Sequence, residues 1–316
     1  MKRALRNGCI IAAMLAAGPA NAEVLEVLAS IAPIHSLTAA IMKGVGEPVL
    51  LVPAAASDHE YALKPSDLRK IAAADVVVWI GEPLETYLVK PLQTEGVANL
   101  ELLEAAGVAP RPYAGAEEHE AAEAAQEVHI EEGVQGAAGH AHLGLDPHIW
   151  LDPVRAEAIV EAVAARLASL DPESADMYRR NAAETVRALQ ALDAEIRTRL
   201  APVAGEPFIT FHDGYSYFVE RYGLNQVGRL TVDPERSAGA ATVGALRETI
   251  TAQDVGCAFA EPQFDSGTLE ALAGEATMKI GVLDAIGADM TPGPALYAAL
   301  LRRNAEAVES CLLPNS

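Results

Sequence analysis

Short hydrophobic runs alternate with amphipathic segments over the first third of the chain. The clearest run, 75–81 (DVVVWIG), is continuous, which is typical of a strand buried on both faces. Further strands are predicted at 24–30, 49–52 and 99–103, and helices at 35–42, 65–74 and 84–92. Strands that alternate with helices predict a parallel sheet covered by helices.

The same alternation returns towards the C-terminus. Strands are predicted at 207–213, 225–230, 256–260 and 279–283. Helices are predicted at 215–222 and 243–252, between the last two strands, and at 294–310. Each half of the chain therefore offers about four strands and forms its own α/β block.

A long amphipathic stretch from about residue 171 to 200 separates the two blocks. Asp152-Pro153 predicts the start of a preceding helix that runs to about residue 170, and Asp171-Pro172 is a second N-cap followed by a proline at the first helical position. At 1.5 Å per residue, some 28 helical residues span ~42 Å, the width of a whole domain. We interpret this helix as a rigid linker; the alternative is a large surface helix of a single domain.

The N-terminus has the layout of a secretory signal peptide. Basic residues precede an apolar run at 9–18 and the A-x-A site Ala20-Asn21-Ala22. The run is too short to cross a bilayer. We therefore assign 1–22 to a signal peptide cleaved after Ala22; an uncleaved anchor is the alternative.

Removal of the signal peptide leaves an acidic chain with two cysteines. The net charge of −21 becomes −24 because three basic residues are lost. This acidity argues against nucleic acid as a partner. Cys257 and Cys311 remain, and two cysteines in an exported chain favour a disulfide over a metal or redox pair.

Three histidines lie where predicted strands give way to loops. His59 lies in SDHE after the second strand, His148 lies between two Asp-Pro pairs in DPHIWLDP (146–153), and His212 ends the strand PFITFHD. Ligands of open α/β sheets bind at the carboxyl ends of strands, and neutral imidazoles from separate segments suit a tight Zn²⁺ site. Any one of these histidines taken alone would more readily be an ordinary residue than a ligand.

The stretch 104–145 is poor in strand signals and rich in Ala, Gly and Glu. Seven glutamates lie between 117 and 132. Four histidines accompany them or follow: His119, His129, His140 and His142. Two interpretations stay open, a solvated acidic loop or a loop that gathers metal at low affinity.

The sequence lacks the motifs of the obvious enzymes. It contains no HExxH, no G-x-S-x-G and no P-loop. A zinc hydrolase would need an open coordination position and a carboxylate base. Glu60 or Glu261 are the candidates for that base, and neither lies in a supporting motif. We therefore expect a binding protein and not an enzyme.

At these residues the chain resembles the periplasmic zinc-binding proteins of ABC importers, the ZnuA type of metal-binding solute-binding proteins. The resemblance covers nearly all of 23–316. It rests on the segments SDHEYALKPSDLRKIAAADVVVWIG, DPHIWLDP, FITFHDGYSYFVERYGL, CAFAEPQF and VLDAIG and on the terminal CLL.

The resemblance implies two (β/α)4 lobes with parallel sheets, joined by one long rigid helix, with the metal in the cleft between them. The corresponding domains are an N-terminal lobe at 23–170 that includes the acidic loop 113–145, a linker helix at 171–202 and a C-terminal lobe at 203–316. The implied function is high-affinity capture of Zn²⁺ in the periplasm and delivery to a membrane permease with its ATPase. The expected state is a monomer.

By resemblance, His59, His148 and His212 are zinc ligands. The fourth ligand is Asp284, with Asp58 or water as the alternatives. His35 follows the first strand but matches no ligand position. A manganese- or iron-binding relative remains an alternative, although the third histidine favours zinc, and an exported zinc hydrolase is the rival from another class.

Overall fold

The computed structural model describes residues 24–113 and 144–313. The predicted signal peptide at 1–22 lies outside these residues. The same holds for His119, His129, His140 and His142 of the acidic loop, so both interpretations of that loop stay predictions. Within the described ranges, no helix is long and apolar enough to cross a membrane.

The first half of the chain forms a parallel sheet of four strands. The strands are β1 (Val27–Ala29), β2 (Val49–Leu50), β3 (Val76–Trp79) and β4 (Asn99–Glu101), and the helices between them are α1 (Ala32–Met42), α2 (Pro65–Ala73) and α3 (Thr86–Glu95). The strand order is β2-β1-β3-β4. All four residues of β3 are buried, because this inner strand is covered on both faces.

Two helices follow the first sheet, α4 (Pro153–Leu170) and α5 (Ala175–Leu200). Helix α4 begins as the Asp-Pro signal predicts: the Asp152 carboxylate accepts the N–H of Val154 at 2.9 Å, and Pro153 is the first helical residue.

Helix α5 has 26 residues and is therefore ~39 Å long. It begins three residues later than the Asp171-Pro172 signal predicts, with Ser174 and not Asp171 at the N-cap position. The Asp171 carboxylate accepts the N–H of Ser174 at 3.2 Å in the turn that precedes the helix, so this side chain organises the turn and not the first helical residues.

The C-terminal half repeats the architecture. Its elements are β5 (Pro207–His212), α6 (Ser216–Tyr222), β6 (Asn225–Thr231), α7 (Ala240–Ala252), β7 (Cys257–Ala260), α8 (Gly267–Ala276), β8 (Lys279–Val282) and α9 (Leu296–Leu312). The sheet is parallel with the order β6-β5-β7-β8. In each sheet the second strand pairs with one side of the first strand, and the next two strands are added on the other side. This reversal of direction creates a topological switch point, the place where ligands of open α/β sheets bind.

One hydrophobic core runs through both lobes. Side chains of β1, α1, α4 and α5 join those of β5, β7 and α9 in a single buried cluster. Helix α5 packs against α1 and α4 and also against α9. This confirms the predicted fold of two parallel α/β lobes with a long helix between them, while the lobe boundaries stay a prediction. Because the lobes share a core, a wide rotation between them would expose apolar surface to water.

Trp150 adds polar contacts between the lobes. Its fully buried indole donates from Nε1 to the carbonyl of Ala285 at 2.7 Å. Its own carbonyl accepts from the hydroxyl of Tyr297 at 2.7 Å, and the N–H of Tyr297 donates to the Ser36 hydroxyl in α1 at 3.0 Å. These bonds hold the segment around Trp150 against the C-terminal lobe.

The disulfide predicted between Cys257 and Cys311 is present and joins β7 to α9. It closes a loop with a sequence separation of 54 residues. In the chain-entropy model a loop of this length is worth ~4 kcal/mol. The bond therefore anchors the last helix, which contributes to the core shared by both lobes.

We expect replacement of both cysteines by serine to lower the free energy of unfolding by about 2–5 kcal/mol. Chemical denaturation of the zinc-free protein measures this loss, with reduction of the unmutated protein as the matched control. Equal unfolding midpoints for the oxidised and reduced forms would contradict the expected role.

Candidate metal site

Three histidines from three segments meet between the lobes. His59 lies in the connection between β2 and α2, His148 precedes a short 3-10 turn (Ile149–Leu151), and His212 is the last residue of β5. The Nε2 atom of His148 is 3.3 Å from Nε2 of His59 and 3.3 Å from Nε2 of His212. We call this set the histidine cluster.

The spacing within the histidine cluster fits a tetrahedral metal. Ligands bound to Zn²⁺ at about 2.0–2.1 Å in a tetrahedron are separated by roughly 3.3–3.4 Å. The ligand atoms of all three histidines lie within 4.8 Å of one another. The predicted convergence of residues separated by 89 and 64 positions is therefore seen in the fold.

His148 is oriented by a carboxylate two residues before it. Oδ1 of Asp146 accepts the backbone N–H of His148 at 3.0 Å and lies 2.9 Å from its ring Nδ1. Both side chains are fully buried. Asp146 is an acceptor at this position, so Nδ1 carries the proton and Nε2 keeps its lone pair for a metal.

His212 is oriented in the same way from the neighbouring strand. Its Nδ1 lies against Oε1 of Glu261, which also accepts the His212 backbone N–H at 3.3 Å. Burial alone would lower the pKa of His212, but the adjacent Glu261 carboxylate outweighs it and the net pKa is raised. Metal binding at Nε2 must therefore displace any proton held there.

Asp58 offers an oxygen beside the histidine cluster. It is buried, and its Oδ2 has no hydrogen-bond partner in the described part of the chain. Burial raises the pKa of Asp58, and the nearby His148 and His212 partly offset this shift. Its atoms are not among the cluster atoms that lie within 4.8 Å of one another.

Asp284 is buried in a different environment. Its carboxylate accepts the backbone N–H groups of Ile286, Gly287 and Ala288 at 2.8–3.1 Å and the side-chain amide of Gln263 at 3.0 Å. It contributes no atom to the histidine cluster. The assignment of Asp284 as fourth ligand stays a prediction, and its hydrogen bonds indicate that its lone pairs already hold a turn together.

Gly214 supplies the space for a metal. A Cβ atom at this position would lie 2.3 Å from Nε2 of His212 and 3.2 Å from Nε2 of His148. The first distance is close to a zinc–nitrogen bond length. Any side chain at 214 would therefore fill the volume that a metal between these two rings occupies.

His35, the other histidine in the described ranges, lies outside the cluster. Nε2 of His35 is 3.0 Å from the carbonyl of Pro48, and burial lowers the pKa of His35. In the sequence, too, His35 matches none of the ligand positions of the family that the chain resembles.

Sequence reasoning missed three residues that shape the site: Asp146, Glu261 and Gly214. The sequence presents Asp146 only as part of an Asp-Pro pair beside His148 and Glu261 only as a possible catalytic base, and it gives Gly214 no role in the site. A signal was available for Glu261, because it directly follows β7, the neighbour of the strand that ends at His212. The D-x-H spacing of Asp146 and His148 is a weaker signal.

The two α/β lobes, the long helix and the histidine cluster together define a metal-binding protein of the solute-binding class. The chain belongs to the ZnuA family: the family model described as "Zinc-uptake complex component A periplasmic" matches residues 27–311.

Similar proteins cover nearly the whole chain. The high-affinity zinc uptake system protein ZnuA of Brucella abortus (strain 2308) is 36% identical over 308 residues, 90% of this chain and 91% of the relative. That of Yersinia pestis is 32% identical over 98% of both chains. A crystal structure of ZnuA has a TM-score of 0.74 at 24% identity and covers 92% of this chain and 100% of its own, which supports the fold.

Proposed function

We propose that this protein captures Zn²⁺ in the periplasm and delivers it to the membrane permease of an ABC importer. The observation that carries the proposal is the spacing of the three Nε2 atoms, with two of them 3.3 Å from the third. Family membership supports the delivery step, since the curated relatives are named as zinc uptake system proteins.

Three neutral imidazoles favour zinc over harder cations. Imidazole is a borderline ligand that suits zinc, whereas manganese and magnesium prefer carboxylates and water. Two carboxylates beside the cluster, Asp146 and Glu261, contact the ring Nδ1 atoms of His148 and His212 on the side away from the proposed metal. They raise the basicity of the ligands without adding hard donors to the site.

Asp58 is the fourth ligand that we propose, either directly or through a water molecule. Its buried Oδ2 has no partner in the described ranges, and a bound cation would compensate its charge. Asp284 already accepts four hydrogen bonds, which makes it the weaker candidate.

We also propose that the protein binds zinc without catalysing a reaction. A catalytic zinc keeps an open position for a water that attacks the substrate. His148 and His212 are almost completely buried, so substrate atoms have little access to the metal from their side. Turnover of ester or peptide substrates by the zinc-loaded protein would contradict this part of the proposal.

Release of zinc requires at least one of its ligands to move. His148 and His212 are almost completely buried, whereas His59 is only partly buried and lies in the connection between β2 and α2. Movement of this connection, together with small shifts of the lobes, is therefore the route that we propose for transfer to the permease and its ATPase.

A competition titration tests the choice of metal. We expect zinc to be retained when Mn²⁺ is added in hundredfold excess, because the three histidine nitrogens bind the softer ion more tightly. The same titration with Asp58→Asn measures what the fourth ligand adds. Displacement of zinc by an equal concentration of Mn²⁺ would instead favour a manganese- or iron-binding protein.

A further inference from the structure

We infer that Asp146 and Ser216 form a positioning pair that sets the zinc affinity of His148 from outside the coordination sphere. The inference rests on the proposed function, in which His148 is a zinc ligand. Asp146 lies on the same segment as His148, and Ser216 is the first residue of α6 in the other half of the chain.

Every polar group of Asp146 is engaged. Oδ1 accepts both the backbone N–H and the ring Nδ1–H of His148 at 3.0 and 2.9 Å. Oδ2 accepts the hydroxyl of Ser216. The Asp146 N–H donates to the carbonyl of Arg111 at 2.7 Å, and its carbonyl accepts from the hydroxyl of Tyr217 at 2.7 Å.

The Ser216 hydroxyl decides how the Asp146 carboxylate can rotate. The carboxylate is fully buried, so an oxygen that loses its donor cannot turn to water. With Ser216 in place, Oδ2 is fixed and Oδ1 faces the imidazole of His148. Without that hydroxyl, the carboxylate would keep an unsatisfied oxygen in the interior and would be free to turn away from His148.

Tyr217 strengthens the same contact. Its hydroxyl accepts the N–H of Arg111 at 3.1 Å and donates to the carbonyl of Asp146. The guanidinium groups of Arg111 and Arg155 lie 5.1 and 4.5 Å from the centre of its ring. Two consecutive residues at the start of α6 thus bind the side chain and the backbone of Asp146.

The pair also fixes one ligand relative to another. Ser216 follows His212 by four residues, and Gly214 between them lines the space for the metal. A single short segment therefore carries one ligand and also the hydroxyl that orients the carboxylate behind the second ligand. Ser216 touches no metal in this arrangement and acts on His148 only through Asp146.

The first test measures zinc affinity by competition with a chelator of known affinity. We expect Asp146→Asn to weaken binding about 10–100-fold, the usual effect of losing a partner behind a metal-bound histidine. We expect a loss of about tenfold for Ser216→Ala and recovery to near the original affinity for Ser216→Thr, which restores a hydroxyl. Ser169→Ala, which removes an exposed hydroxyl bonded to its own helix, is the matched control.

The double variant separates positioning from a general loss of stability. If Ser216 acts through Asp146, adding Ser216→Ala to Asp146→Asn costs much less affinity than Ser216→Ala costs alone. Independent destabilisation would give additive losses. Unfolding midpoints of the zinc-free variants show that each protein is folded at the titration temperature.

The second readout needs no zinc. Long-range ¹H–¹⁵N spectra of the zinc-free protein, labelled at histidine, report which ring nitrogen carries the proton. We expect His148 to be protonated at Nδ1 in the unmutated protein and to lose this preference in Asp146→Asn. A proton on Nε2 of His148 in the unmutated protein, or unchanged zinc affinity in Asp146→Asn and Ser216→Ala, would overturn the inference. Failure of the unmutated protein to bind zinc would instead contradict the proposed function, and the spectra would still decide the positioning role.

Discussion

Replacing His148 by alanine should weaken zinc binding by about two to three orders of magnitude. Apparent binding free energies of structural zinc sites are ~10–16 kcal/mol, so one of four ligands is worth roughly 2.5–4 kcal/mol. His148 is the central member of the cluster, because its Nε2 lies 3.3 Å from those of both His59 and His212. Its loss also leaves Asp146 without the ring that it orients.

His35→Ala is the matched control for this experiment. His35 is also a buried histidine near the start of a helix, but its Nε2 faces the carbonyl of Pro48 and not the cluster. We expect calorimetry to show a normal zinc affinity for His35→Ala and no tight binding for His148→Ala. Near-normal affinity in the His148 variant would remove this residue from the site.

Replacing Gly214 by alanine should also reduce zinc affinity by at least about a hundredfold, although every ligand is still present. The added methyl carbon would lie 2.3 Å from Nε2 of His212, about where a zinc ion has to sit. His212 cannot move aside easily, because it is buried and its Nδ1 is held by Glu261. The methyl group and the metal thus compete for one volume.

Gly244→Ala is the matched control for the glycine. Gly244 lies within α7, and a Cβ atom there would meet nothing within 4 Å. In a helix this change should leave zinc affinity unaltered and slightly raise stability, since alanine favours helix. Equal zinc affinities for the two alanine variants would show that the metal does not bind between His148 and His212.

Much of the fold could be predicted from the sequence because its strands carry strong local signals. The run that contains β3 is continuously apolar, and the Asp-Pro pair before α4 is a helix start that the structure reproduces. The predicted start of α5 is wrong by three residues. The same signal at Asp171 serves a turn there, and sequence alone does not distinguish the two uses.

The three cluster histidines could be predicted because His59 and His212 lie at the ends of predicted strands and His148 lies between two Asp-Pro pairs. The motifs around them also match a known family. The residues behind them are harder to predict. Glu261 reaches His212 across a separation of 49 residues, and Ser216 reaches Asp146 across 70. Such contacts depend on strand order and on the packing of one lobe against the other.

The choice between Asp284 and Asp58 as the fourth ligand also could not be made from the sequence. Asp284 and Asp58 are both aspartates near the cleft, and sequence gives no reason to prefer the one with free lone pairs. In the structure, three backbone N–H groups point at Asp284, while Oδ2 of Asp58 has no partner in the described residues. The direction of those N–H groups is a property of the folded turn.

The most direct test of the central claim is an anomalous-scattering map of the protein purified without added metal, collected on both sides of the zinc absorption edge. The account predicts a single strong peak above the edge, within about 2.0–2.1 Å of Nε2 in His59, His148 and His212, that disappears below the edge. A map without a peak at the histidine cluster, or a peak that persists below the zinc edge, would contradict it.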